Sequence, residues 1–173
     1  LGLQHEQQHQ ELLYTDIKFI LGHNPLFPKF VEQQLFKEGS IGNDSMQSFV
    51  EGIYSIGHQG DGFCFDNELG RHKVFLHAFQ IAEHLVSNAS YMEFMADGGY
   101  ENFDHWHSAG WDWVKKNKVI APLYWHFIDG IWMQYTLSGL QKVIPEQAVC
   151  HISYYEASAF ASWKGMRLPT EQE

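Results

Sequence analysis

Two histidines near the start of the chain have the spacing of a metal-binding pair. His5 and His9 lie in the run QHEQQHQE, residues 4–11. A helix advances about 100° and about 1.5 Å per residue, so residues four apart share one face, one turn apart. Two neutral imidazoles presented in this way can bind one ion. With one more nitrogen or carboxylate and open positions, they would suit catalytic zinc or oxygen-activating non-haem iron. The residues alone do not choose between these metals.

The segment that carries the pair is predicted to be a helix. Residues 3–21 contain no proline and are rich in glutamine, glutamate and leucine, and Gly22 and Pro25 follow as stop signals. Glu11 lies roughly 200° around the axis from His9, so it cannot easily join the same ion. Gln8 is offset by roughly 60° from His5 and borders the metal face. The remaining ligands must therefore come from another element.

Composition limits the class of protein. A chain of 173 residues with 45% hydrophobic and 16% aromatic residues has enough apolar material for one core, so we expect a soluble, globular protein. The formal charge of −10 argues against nucleic-acid partners. No apolar run is long enough to span a membrane, and no secretion signal is evident. Two cysteines cannot build a disulfide framework, which fits a cytoplasmic location.

The pattern along the chain predicts two parts and an α+β fold. Residues 1–44 would hold the helix with the metal motif, a second short helical stretch to about Lys37, and a linker rich in Gly, Ser, Asn and Asp. Residues 45–173 would form a domain of short strands and helices. Because the chain starts without Met and stops at RLPTEQE, we expect a fragment of a longer protein.

Within the second part, alternation and turn residues predict individual elements. We expect strands at 49–56 and 74–81, and a helix at about 88–97 with Ser87 or Ser90 as N-cap. Residues 100–115 read as an aromatic loop with a structural role. Asp129-Gly130 predicts a hairpin between 124–128 and 131–136. Ser153 and Glu156 form a capping box for a helix at 154–164.

Several motifs, taken in order, resemble those of a known family. They are H-x-x-x-H-x-E at 5–11, DNE at 66–68 followed by His72, DGGY at 97–100, GW at 110–111, HISYYEA at 151–157 and GMRLPTE at 165–171. The ordered set resembles the ergothioneine-biosynthesis sulfoxide synthases. These join a DinB-like helical bundle to a domain of the formylglycine-generating-enzyme, or sulfatase-modifying-factor, type. The resemblance implies the end of such a bundle at 1–44, then an incomplete C-type-lectin-like domain at 45–173.

The resemblance also implies a reaction and a cofactor. Enzymes of this family use iron(II) and O2 to join a thiol, cysteine or γ-glutamylcysteine, to the imidazole of trimethylhistidine (hercynine), giving a sulfoxide. By matching position, His5 and His9 would be iron ligands and Gln8 would face the imidazole substrate. The third histidine ligand, the thiol-binding arginines and the catalytic tyrosine are expected outside this chain, so the chain alone is expected to be inactive.

Three other functions remain open from the sequence. A related ovothiol-type synthase would act on histidine itself and join the thiol at a different imidazole carbon. A zinc metallopeptidase would use His5 and His9 as ligands and Glu6 as general base, since HEQQH satisfies H-E-x-x-H. A noncatalytic lectin-like binding module would leave the histidine pair without a chemical role.

Overall fold

The computed structural model describes residues 2–32 and 45–173, which form a mixed α/β structure in agreement with the predicted α+β class. The helices are α1 (Gly2–Gly22), α2 (Asn88–Ala96), α3 (Ser108–Asn117) and α4 (Tyr154–Trp163). The strands are β1 (Met46–Phe49), β2 (Gly52–Ile56), β3 (His72–Leu76), β4 (Phe79–Ala82), β5 (Trp125–Ile128), β6 (Ile131–Thr136) and β7 (Gly139–Lys142). Short 3-10 turns lie at Asp66–Glu68 and Phe103–His105.

Helix α1 forms where the sequence predicts it and ends at Gly22. The next residues, 23–32, contain turns and bends, and the second predicted helix, which would reach about Lys37, has not begun by residue 32. Pro25 and Pro28 favour this irregular backbone, because proline lacks an amide hydrogen and restricts the residue before it. The amides of Phe30 and Val31 instead donate to the carbonyl of Leu137, at 2.8 and 3.0 Å. The remainder of that predicted helix and the linker at 38–44 lie outside the described residues.

The two predicted strands at 49–56 and 74–81 are each interrupted. Strand β1 pairs with β4 and β2 pairs with β3, both antiparallel, as separate two-stranded sheets. The breaks coincide, since Phe49 faces Phe79 on one side and Gly52 faces Leu76 on the other. The Tyr54 hydroxyl donates to the Val50 carbonyl at 2.6 Å. This carbonyl lies between β1 and β2, where strand pairing is interrupted, so the hydroxyl satisfies its hydrogen-bonding capacity.

The hairpin predicted around Asp129-Gly130 is confirmed. Strands β5 and β6 pair antiparallel, with Ile128 opposite Ile131. Asp129 (φ 49°) and Gly130 (φ 79°) both adopt the left-handed conformation that a two-residue hairpin turn requires. Strand β7, which is not among the predicted elements, pairs with β6 and completes a three-stranded sheet. The C-terminal end of α1 packs against this sheet.

Two helices follow their capping signals, and a third was not predicted. The Ser87 hydroxyl accepts from the Ser90 amide and caps α2, and Ser153 with Glu156 forms the predicted capping box of α4. The predicted loop at 100–115 is wrong in its second half, where α3 begins at Ser108. Its Gly110 is a poor helix former, but a Cβ there would lie 2.7 Å from the Tyr155 side chain. Close packing on α4 therefore overrides local propensity.

Aromatic side chains of α2, α4 and the segment between α2 and α3 form the main core. Tyr91 and Phe94 are fully buried, and Phe94 makes ring contacts with Tyr100, Phe160 and Trp163. The predicted structural role of the aromatic segment is confirmed for Tyr100, which is 6% exposed. These side chains give the second part of the chain a densely packed core.

Candidate functional site

The two histidines of the predicted metal motif lie side by side on α1. The ring centroids of His5 and His9 are 4.4 Å apart, and the rings meet edge to face at 84°. Both residues are exposed. The helix therefore brings the two imidazoles together as their spacing predicts. Their role as metal ligands stays a prediction.

The other candidate side chains of this motif are also exposed. Gln8 lies between the two histidines in sequence, and Glu6 and Glu11 lie on the same helix, all three open to solvent. An exposed amide beside the imidazole pair is free to contact a bound substrate. The prediction that Gln8 binds substrate remains a prediction as well.

The imidazole pair could supply two ligands of a metal site. Neutral imidazoles suit both iron and zinc, and ions of this kind need at least one further protein ligand. Within residues 2–32 and 45–173, no group of three His, Cys, Asp or Glu side chains is arranged to hold a metal ion. The pair fits a metal centre only if another element supplies the remaining ligand, as the position of Glu11 already required.

The C-terminal end of α1 is fixed to the three-stranded sheet by close packing. A Cβ on Gly22 would lie 2.9 Å from ring atoms of both Tyr124 and Tyr135, so only glycine fits there. The Tyr135 hydroxyl donates to the Pro28 carbonyl at 2.8 Å. Gly22 is thus more than a stop signal, because it lets α1 approach the tyrosine rings.

A lysine and a histidine add a polar contact where the C-terminal end of α1 packs on the three-stranded sheet, a junction that we call the joint. The Lys18 ammonium donates to His151 Nε2 at 2.6 Å and lies 5.0 Å from the centroid of the Tyr124 ring. Burial, and then the nearby Lys18 charge, lowers the pKa of His151 to about 4. Burial also lowers the pKa of Lys18. At neutral pH the uncharged imidazole of His151 can therefore accept the hydrogen bond from Lys18.

The contact between Lys18 and His151 has no signal in the sequence. His151 is the first residue of the motif HISYYEA, and Lys18 belongs to none of the motifs. The two residues are 133 positions apart, so no local pattern connects them. The only sequence signal for Lys18 is its place on the helix, about two and a half turns beyond His9.

A buried carboxylate holds the start of α4 against the core. Glu156 is 2% exposed; its Oε1 accepts from the Tyr100 hydroxyl at 2.6 Å and its Oε2 from the Ser153 amide at 2.7 Å. The Tyr91 and Tyr100 hydroxyls lie 3.1 Å apart. Burial raises the pKa of both tyrosines well above the ordinary value. Both hydroxyls therefore stay protonated, and the network acts as a structural one.

Comparison with known proteins assigns the family. The model of the sulfatase-modifying factor enzyme 1-like domain matches residues 32–173, and the chain belongs to this family. The chain is 30% identical over 169 residues to a hercynine oxygenase from Mycolicibacterium thermoresistibile, a match that covers 98% of the chain. It is 28% identical to a hercynine oxygenase from Mycolicibacterium smegmatis across 100% of the chain. A formylglycine-generating enzyme from Streptomyces coelicolor is 30% identical over 125 residues, covering 66% of the chain.

The chain spans only part of these relatives. It covers 37% of the first hercynine oxygenase, 40% of the second and 40% of the formylglycine-generating enzyme. The match across the whole chain includes α1, although the family model begins at residue 32. In the part of the chain that the structure describes, no helix is long and apolar enough to cross a membrane.

Proposed function

We propose that this chain is part of an iron(II)- and O2-dependent sulfoxide synthase that acts on hercynine. One observation carries the proposal: the similarity to hercynine oxygenases extends across the whole chain, including the helix on which His5 and His9 lie 4.4 Å apart. Formylglycine-generating enzymes share the domain family. The helix that carries His5 and His9 is therefore the feature that favours a hercynine oxygenase over other members of the domain family.

In the proposed reaction, a cysteine-type thiol and the imidazole of hercynine each lose one hydrogen as a carbon–sulfur bond forms. One oxygen atom of O2 goes to sulfur as the sulfoxide, and the other leaves as water with the two hydrogens. Iron(II), when bound, would supply the redox chemistry with O2 that amino-acid side chains lack. His5 and His9 would hold the metal, and Gln8 would orient the imidazole substrate.

The exposed apolar side chains of α1 support its proposed place in a larger, DinB-like helical bundle. Leu3, Leu12, Leu13 and Ile20 are 83%, 50%, 60% and 67% exposed. Such side chains on a helix favour packing against further helices. One of those helices would supply the third metal ligand. In the same proposal, residues 45–173 belong to a C-type-lectin-like domain that presents the histidine helix through the Gly22 joint.

The test uses the full-length protein loaded with iron(II) without oxygen and then given O2. Consumption of O2 and the mass of the product are measured with trimethylhistidine plus either cysteine or γ-glutamylcysteine. We expect a sulfoxide adduct that is lost in His5→Ala and retained in His58→Ala, which replaces a partly exposed histidine of another segment. Absence of an adduct with either thiol would contradict the proposal.

The same experiment separates the alternatives. Product formation with histidine but not with trimethylhistidine would indicate the ovothiol-type reaction. Retention of zinc with peptide cleavage that disappears in Glu6→Gln would indicate a metallopeptidase, because Glu6 would be its general base. In the synthase, Glu6→Gln is expected to keep activity, since this exposed side chain has no role in holding the metal. Ligand binding without metal or turnover would indicate a noncatalytic module.

A further inference from the structure

The Lys18 amine, at the joint between α1 and the three-stranded sheet, has no part in the function proposed above. It donates to His151 Nε2 at 2.6 Å and lies 5.0 Å from the centroid of the Tyr124 ring. The side chain is half-buried. Lysine side chains that leave water are usually paired with a carboxylate, whereas the hydrogen-bond acceptor here is an imidazole. Lys18 therefore has different surroundings from an ordinary surface lysine.

The charge of Lys18 has no carboxylate beside it. Among the described residues, no carboxylate lies within ion-pair distance of its amine; Arg167 and Glu173 form the ion pair found there. Removal of an ammonium from water without a counter-charge disfavours its charged form. Burial accordingly lowers the pKa of Lys18. A larger fraction of this amine is therefore neutral at a given pH, and the neutral amine is the nucleophile.

Three described titratable groups face the amine, namely Cys150, His151 and Tyr124. The charge of Cys150 raises the pKa of Lys18, but burial is the larger effect. Burial raises the pKa of Tyr124, so its hydroxyl is uncharged at neutral pH. The imidazole of His151 is uncharged as well. Neither ring supplies an anion that would hold Lys18 in its charged form.

His151 is placed to take the proton that a reacting amine releases. Its Nε2 already accepts the hydrogen bond from Lys18. Its pKa is lowered by burial and then by the Lys18 charge, so the imidazole becomes more basic when the amine becomes neutral. An amine hydrogen-bonded to a base has the arrangement of an activated nucleophile. Cys150 and His151 are exposed, so small molecules can approach this side of the joint.

We propose that Lys18 is a site of covalent modification, at which a small acyl phosphate transfers its acyl group to Nζ with His151 as the proton acceptor. The amine nitrogen attacks the carbonyl carbon, a carbon–nitrogen bond forms, and the carbon–oxygen bond to phosphate breaks. Phosphate leaves with the electron pair of that bond, and the proton of the nitrogen passes to His151 Nε2. The product is a neutral amide, so the modification removes the positive charge from the joint. The step needs no metal and does not depend on the proposed synthase reaction.

The test treats the full-length, metal-free protein with acetyl phosphate and measures the acetylation rate of each lysine by peptide mass spectrometry. Lys115 is the matched internal control. Its ammonium also lies over a ring, 4.5 Å from the Trp111 centroid, but the side chain is exposed, whereas Lys18 is half-buried. His151→Gln removes the base and keeps a side chain that can accept a hydrogen bond. Cys150→Ser removes a thiol through which the acetyl group could otherwise reach the amine.

We expect Lys18 to be acetylated faster than Lys115 by about threefold or more at about pH 7.5, because the neutral fraction of an amine rises about tenfold for each unit by which its pKa is lowered. The ratio of the two rates should decrease toward about pH 10, where an ordinary lysine is substantially neutral as well. His151→Gln should slow the acetylation of Lys18 by about threefold or more and leave that of Lys115 unchanged. Cys150→Ser should not slow either.

Three results would overturn the proposal. They are a Lys18 rate no higher than that of Lys115, a Lys18 rate that His151→Gln leaves unchanged, and loss of Lys18 acetylation in Cys150→Ser. Circular dichroism shows whether each variant is folded. If His151→Gln does not fold, the ratio of the two lysine rates across pH in the natural protein still decides the outcome.

Discussion

Helix α1 and the aromatic core differ in how completely the described residues surround them. The α1 histidines and several of its leucines are exposed, and the helix is fixed to the domain mainly at its C-terminal end. In the core, Tyr91 and Phe94 are fully buried and Glu156 has both oxygens hydrogen-bonded. The proposed metal ligands thus lie on an element with exposed apolar side chains, whereas the core beside it is closely packed.

This difference has a physical reason. A metal centre with open positions must be reached by substrates, and ligands from separate elements can be brought together around it. A core gains stability from burial and dense packing, which needs many contacts from neighbouring elements. We therefore expect substitutions in the core to change stability and those at the histidine pair to change chemistry. The predictions below test that separation, beginning with the largest effect.

The largest effect is expected at Phe94. Phe94→Ala removes a fully buried ring and should destabilise the protein by about 3–5 kcal/mol, because a cavity remains after the lost burial. Phe103→Ala is the control, since Phe103 is 64% exposed and its loss should change stability by no more than about 0.5 kcal/mol. Urea unfolding of the two variants measures both values. Similar values for the two would contradict the assignment of the core.

A smaller loss is expected at the buried carboxylate. Tyr100→Phe deletes the hydroxyl that donates to Glu156 at 2.6 Å and should cost about 1.5–3 kcal/mol, the range for hydrogen bonds to charged groups. The free energy of unfolding, measured in urea, checks the value. If Tyr100→Phe is as stable as the natural protein, the Glu156 network does not hold α4 as described.

The joint between α1 and the sheet is tested with two glycines of the same helix. Gly22→Ala would force a Cβ to within 2.9 Å of two tyrosine rings and should cost about 1–3 kcal/mol, as overpacking does. At Gly2 no atom lies within 4 Å of the corresponding Cβ, so Gly2→Ala should be neutral or slightly stabilising. Thermal unfolding compares them. Equal stability of both variants would show that α1 does not pack on the tyrosines.

The stability that this joint contributes should also decrease slightly in acid. The pKa of His151 is lowered from 6.5 to about 4, so the unfolded chain binds a proton between these values that the folded chain does not. Stability is then fully present above pH 6.5 and falls as the pH decreases toward 4. The effect is small because His151 remains partly in contact with water.

His151→Gln should reduce this dependence when unfolding is measured at about pH 7 and about pH 5. The lowered pKa of His126 acts in the same direction, so part of the dependence should persist in the variant. An NMR titration of the His151 ring gives its pKa directly. A value at or above the ordinary one would contradict the contact with Lys18.

The elements predicted correctly are those with strong local signals. The helix of residues 2–22 has a clear composition and a glycine stop, Asp129-Gly130 determines a hairpin turn, and Ser153 with Glu156 caps a helix. Helix α3 was missed because its tryptophans and Gly110 do not favour a helix, and tertiary packing on Tyr155 decides its conformation. The interrupted strands were missed because a break in pairing depends on the partner strand.

The same distinction applies to the candidate sites. The side-by-side placement of His5 and His9 follows from helical spacing and could be predicted. The contact between Lys18 and His151 joins residues that are far apart in sequence and needs the folded chain. The left-handed backbone of Tyr124 is likewise not indicated by its residue type, because bulky aromatic residues rarely adopt it.

The most direct test of the central claim is the iron content of the histidine pair. The full-length protein is equilibrated without oxygen with iron(II), freed of excess metal and analysed for iron per chain, beside His5→Ala, His9→Ala and the control His58→Ala. We predict stoichiometric iron in the natural protein and in His58→Ala. We predict its loss in both α1 variants, with each change in stability within about 0.5 kcal/mol for the metal-free protein. Full iron occupancy in either His5→Ala or His9→Ala would contradict the account.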